Sequence, residues 1–349
     1  MLWVLAAVFL GSVVYLLLSR DPLAQYDYPK GEYFDADGDS EALRDITATI
    51  ENDIGETRKL PLREQLAHMR QSLDCFFDDI EKTAVFQPIS ESNVKGEWVI
   101  APGVDQSRKL LYIHGGGFYV GSPKSHRVIT SRLSEIANCA VLSVDYRLMP
   151  ENKRMEGIED CRNAYDWLLK HGPMGANNDL SAVFIAGDSA GGNLTLSLLS
   201  WIRDTQRHRV NGAIAIAPVT DMRMHNPSIR ANNKYDVVLG PLFKLLTKVP
   251  RVFFSAGYYF FTGHRSGDPM VSPLHGDLSD LPPVLVHISE HEILRDDGRR
   301  YVNKAVAAGT DATLQVWPYM PHVWHIFYPR LPESDKAFEQ IKLFIDRHS

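Results

Sequence analysis

Residues 182–194 read AVFIAGDSAGGNL, and this stretch decides the fold. AVFIA is a short, continuous apolar run, as in a strand buried on both faces. It leads without a linker into Gly187-Asp188-Ser189-Ala190-Gly191, a G-x-S-x-G pentapeptide, and a helical pattern starts near Ala190. Chance alone supplies about 0.1 such pentapeptides in a chain of this length. The pentapeptide is therefore weak by itself, and the strand–turn–helix context carries the argument. The flanking glycines permit a sharp turn that presents Ser189 at a helix N-terminus. Backbone N–H groups and the helix dipole favour developing negative charge there. A serine at this place also suits an ordinary helix N-cap. The strand running straight into the turn favours a nucleophile.

Outward from this stretch, apolar runs alternate with amphipathic segments. Candidate strands are Glu97–Ala101, Lys109–Ile113, Ala140–Tyr146, Ala182–Ala186, Ala213–Ala217, Val284–Ser289 and Thr313–Pro318. Candidate helices cover 125–138, 157–170, 190–203, 296–308 and 333–347. This alternation predicts parallel βαβ units in an α/β fold with helices on both faces of the sheet. Between Pro218 and Leu281 no strand is evident. A structureless loop of that length is improbable, so helices over the strand ends are expected, including Leu242–Leu246 and the aromatic run 253–261. The aromatics either pack among themselves or line an apolar pocket.

A second glycine motif, His114-Gly115-Gly116-Gly117, directly follows the strand Lys109–Ile113. Glycines let backbone N–H groups approach a carbonyl oxygen closely. That suits an oxyanion hole, whose donors are each worth about 3 kcal/mol. A phosphate-binding loop is the rival reading, but no Lys-Ser/Thr follows and no G-x-G-x-x-G is present.

IHGGGF at 113–118, DYRLMPE at 145–151 and GDSAGG at 187–192 together resemble the hormone-sensitive-lipase family of α/β-hydrolases, the bacterial family IV esterases. The chain is similar also to arylacetamide deacetylases. PVTDM at 218–222, HEILRDDG at 291–298 and MPHVWHIF at 320–327 extend the resemblance over about 96–349. It implies an eight-stranded, mostly parallel sheet. It also implies a helical cap built from the N-terminal segment and an insertion after the sixth strand. The organisation expected is a catalytic domain over 96–349 with a cap insertion at about 220–270, a helical cap segment over 21–95, and an anchor over 1–20. Helical spacing in 40–51 and 62–77 makes 21–95 read as a helical module outside the sheet.

A serine nucleophile needs a base, and the base needs an orienting acid. In this fold their order is Ser, acid, His. His287 lies inside a strand and His348 ends the last helix, while His322 follows the strand Thr313–Pro318 in a short loop. His322 also matches the histidine of the family's M-P-H-V pattern, with His325 as the competitor. Glu290, Glu292, Asp296 and Asp297 all follow the strand Val284–Ser289. The family's acid-x-L-x-D pattern falls on Glu292, where relatives more often carry Asp. The resemblance thus implies Ser189, His322 and Glu292 as catalytic residues. The oxyanion donors expected are the amides of Ala190 and of Gly115, Gly116 and Gly117, the first two glycines preferred. The charges of Asp145, Arg147 and Glu151 are expected to pair, and the Asn193-Leu194-Thr195 sequon to be buried.

Composition limits the alternatives. The chain has 349 residues and a formal charge of −6, which disfavours nucleic-acid binding through phosphate attraction. Three cysteines without a C-x-x-C pair disfavour a disulfide framework or structural zinc. Residues 2–18, LWVLAAVFLGSVVYLLL, precede the first charged side chain, Arg20. They read as a single-pass membrane anchor, with a cleaved signal peptide and a buried helix as rivals. The function expected is hydrolysis of short- to medium-chain carboxylic esters through an acyl-enzyme, without metal or cofactor, on a small-molecule substrate. Amide or N-acetyl hydrolysis is the alternative. A non-catalytic role is known for the plant gibberellin receptors, which resemble this family but lack a working triad.

Overall fold

Among the described residues nine strands pair into one sheet: β1 (Glu32–Tyr33), β2 (Val85–Glu91), β3 (Val94–Ile100), β4 (Arg108–Ile113), β5 (Ala140–Val144), β6 (Ala182–Asp188), β7 (Gly212–Ile216), β8 (Val284–Ser289) and β9 (Ala312–Trp317). The computed structural model describes residues 21–91, 93–176, 180–244, 249 and 251–349. The order across the sheet is β1-β9-β8-β7-β6-β4-β5-β3-β2, one strand more than the eight expected, because the two-residue β1 pairs with β9 at the edge. Strands β1 to β5 in that order run parallel, and β3 and β2 add on antiparallel.

The helices are α1 (Glu41–Lys59), α2 (Leu62–Cys75), α3 (Arg127–Ile136), α4 (Arg154–Leu168), α5 (Ala190–Asp204), α6 (Arg251–Thr262), α7 (Arg295–Ala307) and α8 (Pro332–Arg347), with shorter turns between them. The pleat sends alternate side chains to opposite layers. Leu111, Ile113, Val183, Ile185, Ala213 and Ala215 pack against α4, α5 and α7 on one face. Leu110, Tyr112, Phe184, Ala186, Ile214 and Ile216 pack against α1, α3 and α8 on the other. Burying one such Leu, Ile or Phe contributes about 1.5–3 kcal/mol.

Two expectations for the N-terminal region are corrected. Residues 21–95 are not a purely helical module, because β1 and β2 join the sheet at its two edges. Strand β2, VFQPISE, is an edge strand with largely exposed residues on both faces and Pro88 inside it, so it lacks the apolar alternation that marks a half-buried strand. The single-pass membrane location is also corrected. No helix among the described residues is long and apolar enough to cross a membrane, and the anchor expected over 1–20 lies outside the described residues.

Between β7 and β8 the chain forms helical turns at Ser228–Ala231 and Gly240–Phe243 and then α6. Its aromatics divide. Phe253, Tyr259, Phe260 and Phe261 are exposed, whereas Tyr258 packs on the core. Phe254 lines a cavity with Met224, Ile229, Phe243 and Val249.

The start of the described chain is held by charge. Arg300 on α7 is 1% exposed and binds Asp27 with Nε (2.5 Å) and Nη2 (2.9 Å) and Asp21 with Nη1 (2.7 Å). The neighbouring Asn303 amide donates to the carbonyls of Tyr26 and Tyr28. Arg300→Met should therefore destabilise the protein by about 3 kcal/mol, the loss typical when one partner of a buried ion pair is removed. Urea unfolding measures it, and limited proteolysis should cut faster between Asp21 and Phe34.

Candidate active site

The parallel strands β4, β6, β8 and β9 end at the same edge of the sheet, and each delivers one part of the site. At the end of β6, Ser189 takes φ 51° and ψ −115°. A non-glycine residue in such a region costs about 1–3 kcal/mol, so its surroundings must hold it there. The Ser189 N–H donates to Ile216 O (2.8 Å), and its carbonyl accepts from the Asn193 N–H (3.0 Å) at the start of α5. The turn also requires close packing of bare backbone. A Cβ on Gly191 would lie 1.9 Å from the Ile113 carbonyl oxygen, so only glycine lets α5 begin against the end of β4.

His322 lies in the loop after β9 and is buried. Its Nε2 is 2.9 Å from Ser189 Oγ and its Nδ1 is 2.5 Å from Glu292 Oε2. Glu292 follows β8, is 1% exposed, and accepts the Ser289 N–H at Oε1 (2.8 Å). The structure thus brings Ser189, His322 and Glu292 into one hydrogen-bonded line. Since the carboxylate accepts, His322 Nδ1 carries the proton, which leaves Nε2 to accept from the serine hydroxyl. Burial alone would lower the His322 pKa. The hydrogen bond and charge of Glu292, with the more distant charges of Asp236 and Asp188, hold it above its ordinary value.

The competing candidates lie elsewhere. His325 is buried in the opposite layer, with Nε2 2.9 Å from His287 Nδ1, and burial holds its pKa well below the usual value. Asp296 accepts Arg295 Nε (2.9 Å) and the Ser228 N–H (2.8 Å). Asp297 accepts the N–H groups of Thr220 (2.7 Å) and Asp221 (2.8 Å). Glu290 pairs with Arg295 and Arg299.

The glycine loop departs from expectation at one position. The Gly115 N–H donates to Asp188 Oδ1 (2.9 Å), so this amide is committed inside the protein. The amides of Gly116, Gly117 and Ala190 donate to none of the described residues. Gly116, at φ 107°, turns the loop where a side chain would meet Val120 O. His114 is buried; its Nδ1–H donates to Gly115 O (2.8 Å), and burial pushes its pKa down to about 3.

Other parts of the surroundings differ from a local reading. Arg147 pairs with Asp160 and Glu156, and Glu151 pairs with Arg70 on α2, so the charges of the 145–151 turn reach out to helices. Arg70 also donates to Tyr119 O (2.8 Å) and Met149 O (3.0 Å), which ties α2 to the loop after the glycines. Asn193 is buried; its amide donates to Val219 O and Val271 O, both at 2.8 Å, and its Oδ1 accepts from Arg154. Sequence reasoning missed Asn232 and Asp236. The Asn232 amide donates to the carbonyls of Glu290 (2.9 Å) and Glu292 (2.8 Å), and Asp236 Oδ2 accepts the Ile293 N–H (2.9 Å). In sequence both look like ordinary turn residues, and no signal there marks them as supports for the acid. Among the described residues no group of three or more His, Cys, Asp or Glu side chains is placed to hold a metal ion.

Comparison with known proteins gives consistent relatives. A family profile described as alpha/beta hydrolase fold matches residues 110–326. An acetyl-hydrolase of Streptomyces hygroscopicus is 35% identical over 258 residues, covering 74% of this chain and 81% of that protein. A carboxylesterase/phospholipase of Mycobacterium tuberculosis is 32% identical over 265 residues, covering 74% of this chain and 68% of that protein. The crystal structure of an esterase from the bacterial hormone-sensitive lipase family superposes with a TM-score of 0.75 at 31% identity, covering 88% of this chain and 98% of that one.

The electrostatics of His322 can be read directly by NMR of histidine-labelled protein. Its imidazole should titrate above the ordinary value of about 6.5. In Glu292→Gln the carboxylate that raises it is gone while burial remains, so the midpoint should move to lower pH. An unchanged midpoint would show that Glu292 does not set it.

Proposed function

We propose a mechanism from one premise: this chain belongs to the hormone-sensitive-lipase family of α/β-hydrolases and is a carboxylic ester hydrolase. It acts on short- to medium-chain esters through a Ser189–His322–Glu292 triad and an acyl-enzyme. The observation that carries this reading is the hydrogen-bonded line from Ser189 Oγ through His322 to Glu292, presented on a strained turn at a helix N-terminus.

His322 Nε2 takes the hydroxyl proton as Ser189 Oγ attacks the ester carbonyl. The imidazolium that forms sits beside Glu292, whose charge favours it. The carbonyl oxygen becomes an oxyanion. It is held by the Ala190 amide, at the positive end of α5, with the Gly116 and Gly117 amides. His322 then protonates the leaving alkoxide as the tetrahedral intermediate collapses to an ester on Ser189. Water, deprotonated by the same imidazole, attacks that ester and releases the acid and the free serine. Gly115 has no part in holding the oxyanion, because its amide is already donated to Asp188.

Two observations support a limit on acyl length. Helix α2 is tied through Arg70 to the Tyr119 carbonyl just beyond the glycines. We assign α2, with α6 from the insertion at about 220–270, to a cap that limits the volume over the nucleophile; β1 and β2, also within residues 21–95, belong to the sheet. The Streptomyces relative is named an acetyl-hydrolase.

Ser189→Ala should lower kcat by at least about 10⁴-fold, and an organophosphate should label Ser189 alone. Glu292→Gln and His322→Ala should each be severe and combine with little further loss, since they act as a unit. Asp296→Asn and His325→Ala should do much less once circular dichroism has confirmed folding. Normal turnover in Glu292→Gln, with collapse in Asp296→Asn, would move the acid.

A panel of p-nitrophenyl esters tests the acyl limit. The highest kcat/KM should fall between acetate and octanoate, with a drop of at least about tenfold at palmitate, a barrier difference of about 1.4 kcal/mol. A maximum at palmitate would refute the restricted pocket.

A further inference from the structure

One buried carboxylate beside the nucleophile makes or breaks no bond and moves no proton in the mechanism above. Asp188 immediately precedes Ser189 and is 2% exposed. Its Oδ1 accepts the Tyr112 hydroxyl (2.6 Å) and the Gly115 N–H (2.9 Å). Its Oδ2 lies 3.4 Å from His126 Nε2, and His126 is in turn held at Nδ1 by Ser125 Oγ (2.8 Å). Tyr112 and His126 are both buried. The carboxylate therefore bridges three sequence-distant elements: the nucleophile turn, the glycine loop, and the start of α3 with the turn before it.

We propose that Asp188, backed by His126 and Tyr112, is a positioning residue that pins the glycine loop at Gly115 and so sets the oxyanion donors that follow it. The proposal rests on the triad reading above and extends it. The contact joins the residue before the nucleophile to the residue before the first uncommitted glycine amide. A displacement of either end alters the relation between Ser189 and Gly116. The fit is close: a Cβ on Gly115 would lie 2.1 Å from Asp188 Oδ2, so loop and carboxylate have no slack between them. Burial alone would raise the Asp188 pKa, but His126 and Tyr112 hold it below its ordinary value. The acceptor is thus a carboxylate, and a charge-assisted hydrogen bond is about twice as strong as a neutral one.

The test pairs kinetics with an inhibitor that reports the oxyanion. A trifluoromethyl ketone accepts the Ser189 oxygen at its carbonyl carbon, and its own carbonyl oxygen becomes the anion in the hole. Asp188→Ala frees Gly115 and should lower kcat and ketone affinity together, each by about 100-fold, with KM within about twofold. Asp188→Asn keeps the shape and a weaker acceptor, and should recover both to within about tenfold of the parent. A purely structural role would lower the melting temperature while leaving the ratio of kcat to ketone affinity, and both values, unchanged. That result in a folded Asp188→Ala overturns the proposal. Should neither aspartate variant fold, Tyr112→Phe and His126→Asn decide. They strip partners from the carboxylate, and a paired loss of about threefold or more supports the assignment, whereas unchanged values in both overturn it. Ser189→Ala runs alongside. Activity surviving in it would refute the triad itself, while a dead Ser189→Ala beside a fully active Asp188→Ala would refute only the pinning role.

Discussion

The carbonyl oxygen of Ile113 occupies the space where a side chain on residue 191 would begin, 1.9 Å from the ideal Cβ position. Much of the site follows from that approach. It places the N-terminus of α5 against the end of β4, so the nucleophile turn and the glycine loop share one wall. The register of the sheet extends the same arrangement sideways. Ile113 pairs with Gly187, Asp188 with Ile216, and Ser289 with Trp317. Parallel neighbours end at one edge, so the loops carrying Gly116, Ser189, Glu292 and His322 meet there without a long excursion of any of them.

Two buried carboxylates flank the nucleophile turn, and they solve one problem in opposite ways. Removing a carboxylate from water costs several kcal/mol unless hydrogen bonds and charge replace the lost solvent. Around Asp188 the replacement is mostly fixed: a backbone amide, a tyrosine hydroxyl and a histidine that is itself held by Ser125. Around Glu292 one oxygen is tied to the backbone and the other to His322, the group whose charge changes in the mechanism we propose. The first arrangement suits a carboxylate that holds geometry, the second one that answers a passing charge. Strain at Ser189 is tolerated because its backbone is held on both sides, its N–H by the Ile216 carbonyl and its own carbonyl by the Asn193 N–H.

Residues whose chemistry depends on local backbone were legible in the sequence. A strand leading into G-D-S-A-G, a strand leading into H-G-G-G, and a histidine in a short loop after the last strand each announce themselves within a few positions. The strands buried on both faces were legible for the same reason, since their apolar runs are continuous. Edge strand β2 was not, because Pro88 and its solvent-facing residues leave no apolar period. Nor was the commitment of the Gly115 amide to Asp188. That depends on Asp188 reaching across from another strand, a tertiary contact no local pattern encodes. Asn232 and Asp236 were missed likewise, since an Asn or Asp capping another loop's backbone looks the same as one closing its own turn.

The acid position shows how such hidden supports bear on the chemistry. The family pattern that the sequence resembles has Asp as its usual acid there, and Glu is longer by one methylene. That extra reach lets Glu292 fold back so that Oε1 takes the N–H of Ser289, three residues earlier, while Oε2 still meets His322. Splitting the two oxygens in this way fixes the plane of the carboxylate. A longer side chain also has more rotatable bonds, and its aim is only as good as the backbone that bears it. Here that backbone is held from outside. Asn232 takes the carbonyls on either side of His291, Asp236 takes the Ile293 amide, and Ser228 Oγ donates to the Ile293 carbonyl (2.7 Å). All three supports come from the stretch between β7 and β8, which continues into α6. The stretch between β7 and β8 therefore holds the backbone that bears Glu292, and changes within it reach the Glu292–His322 hydrogen bond through backbone position.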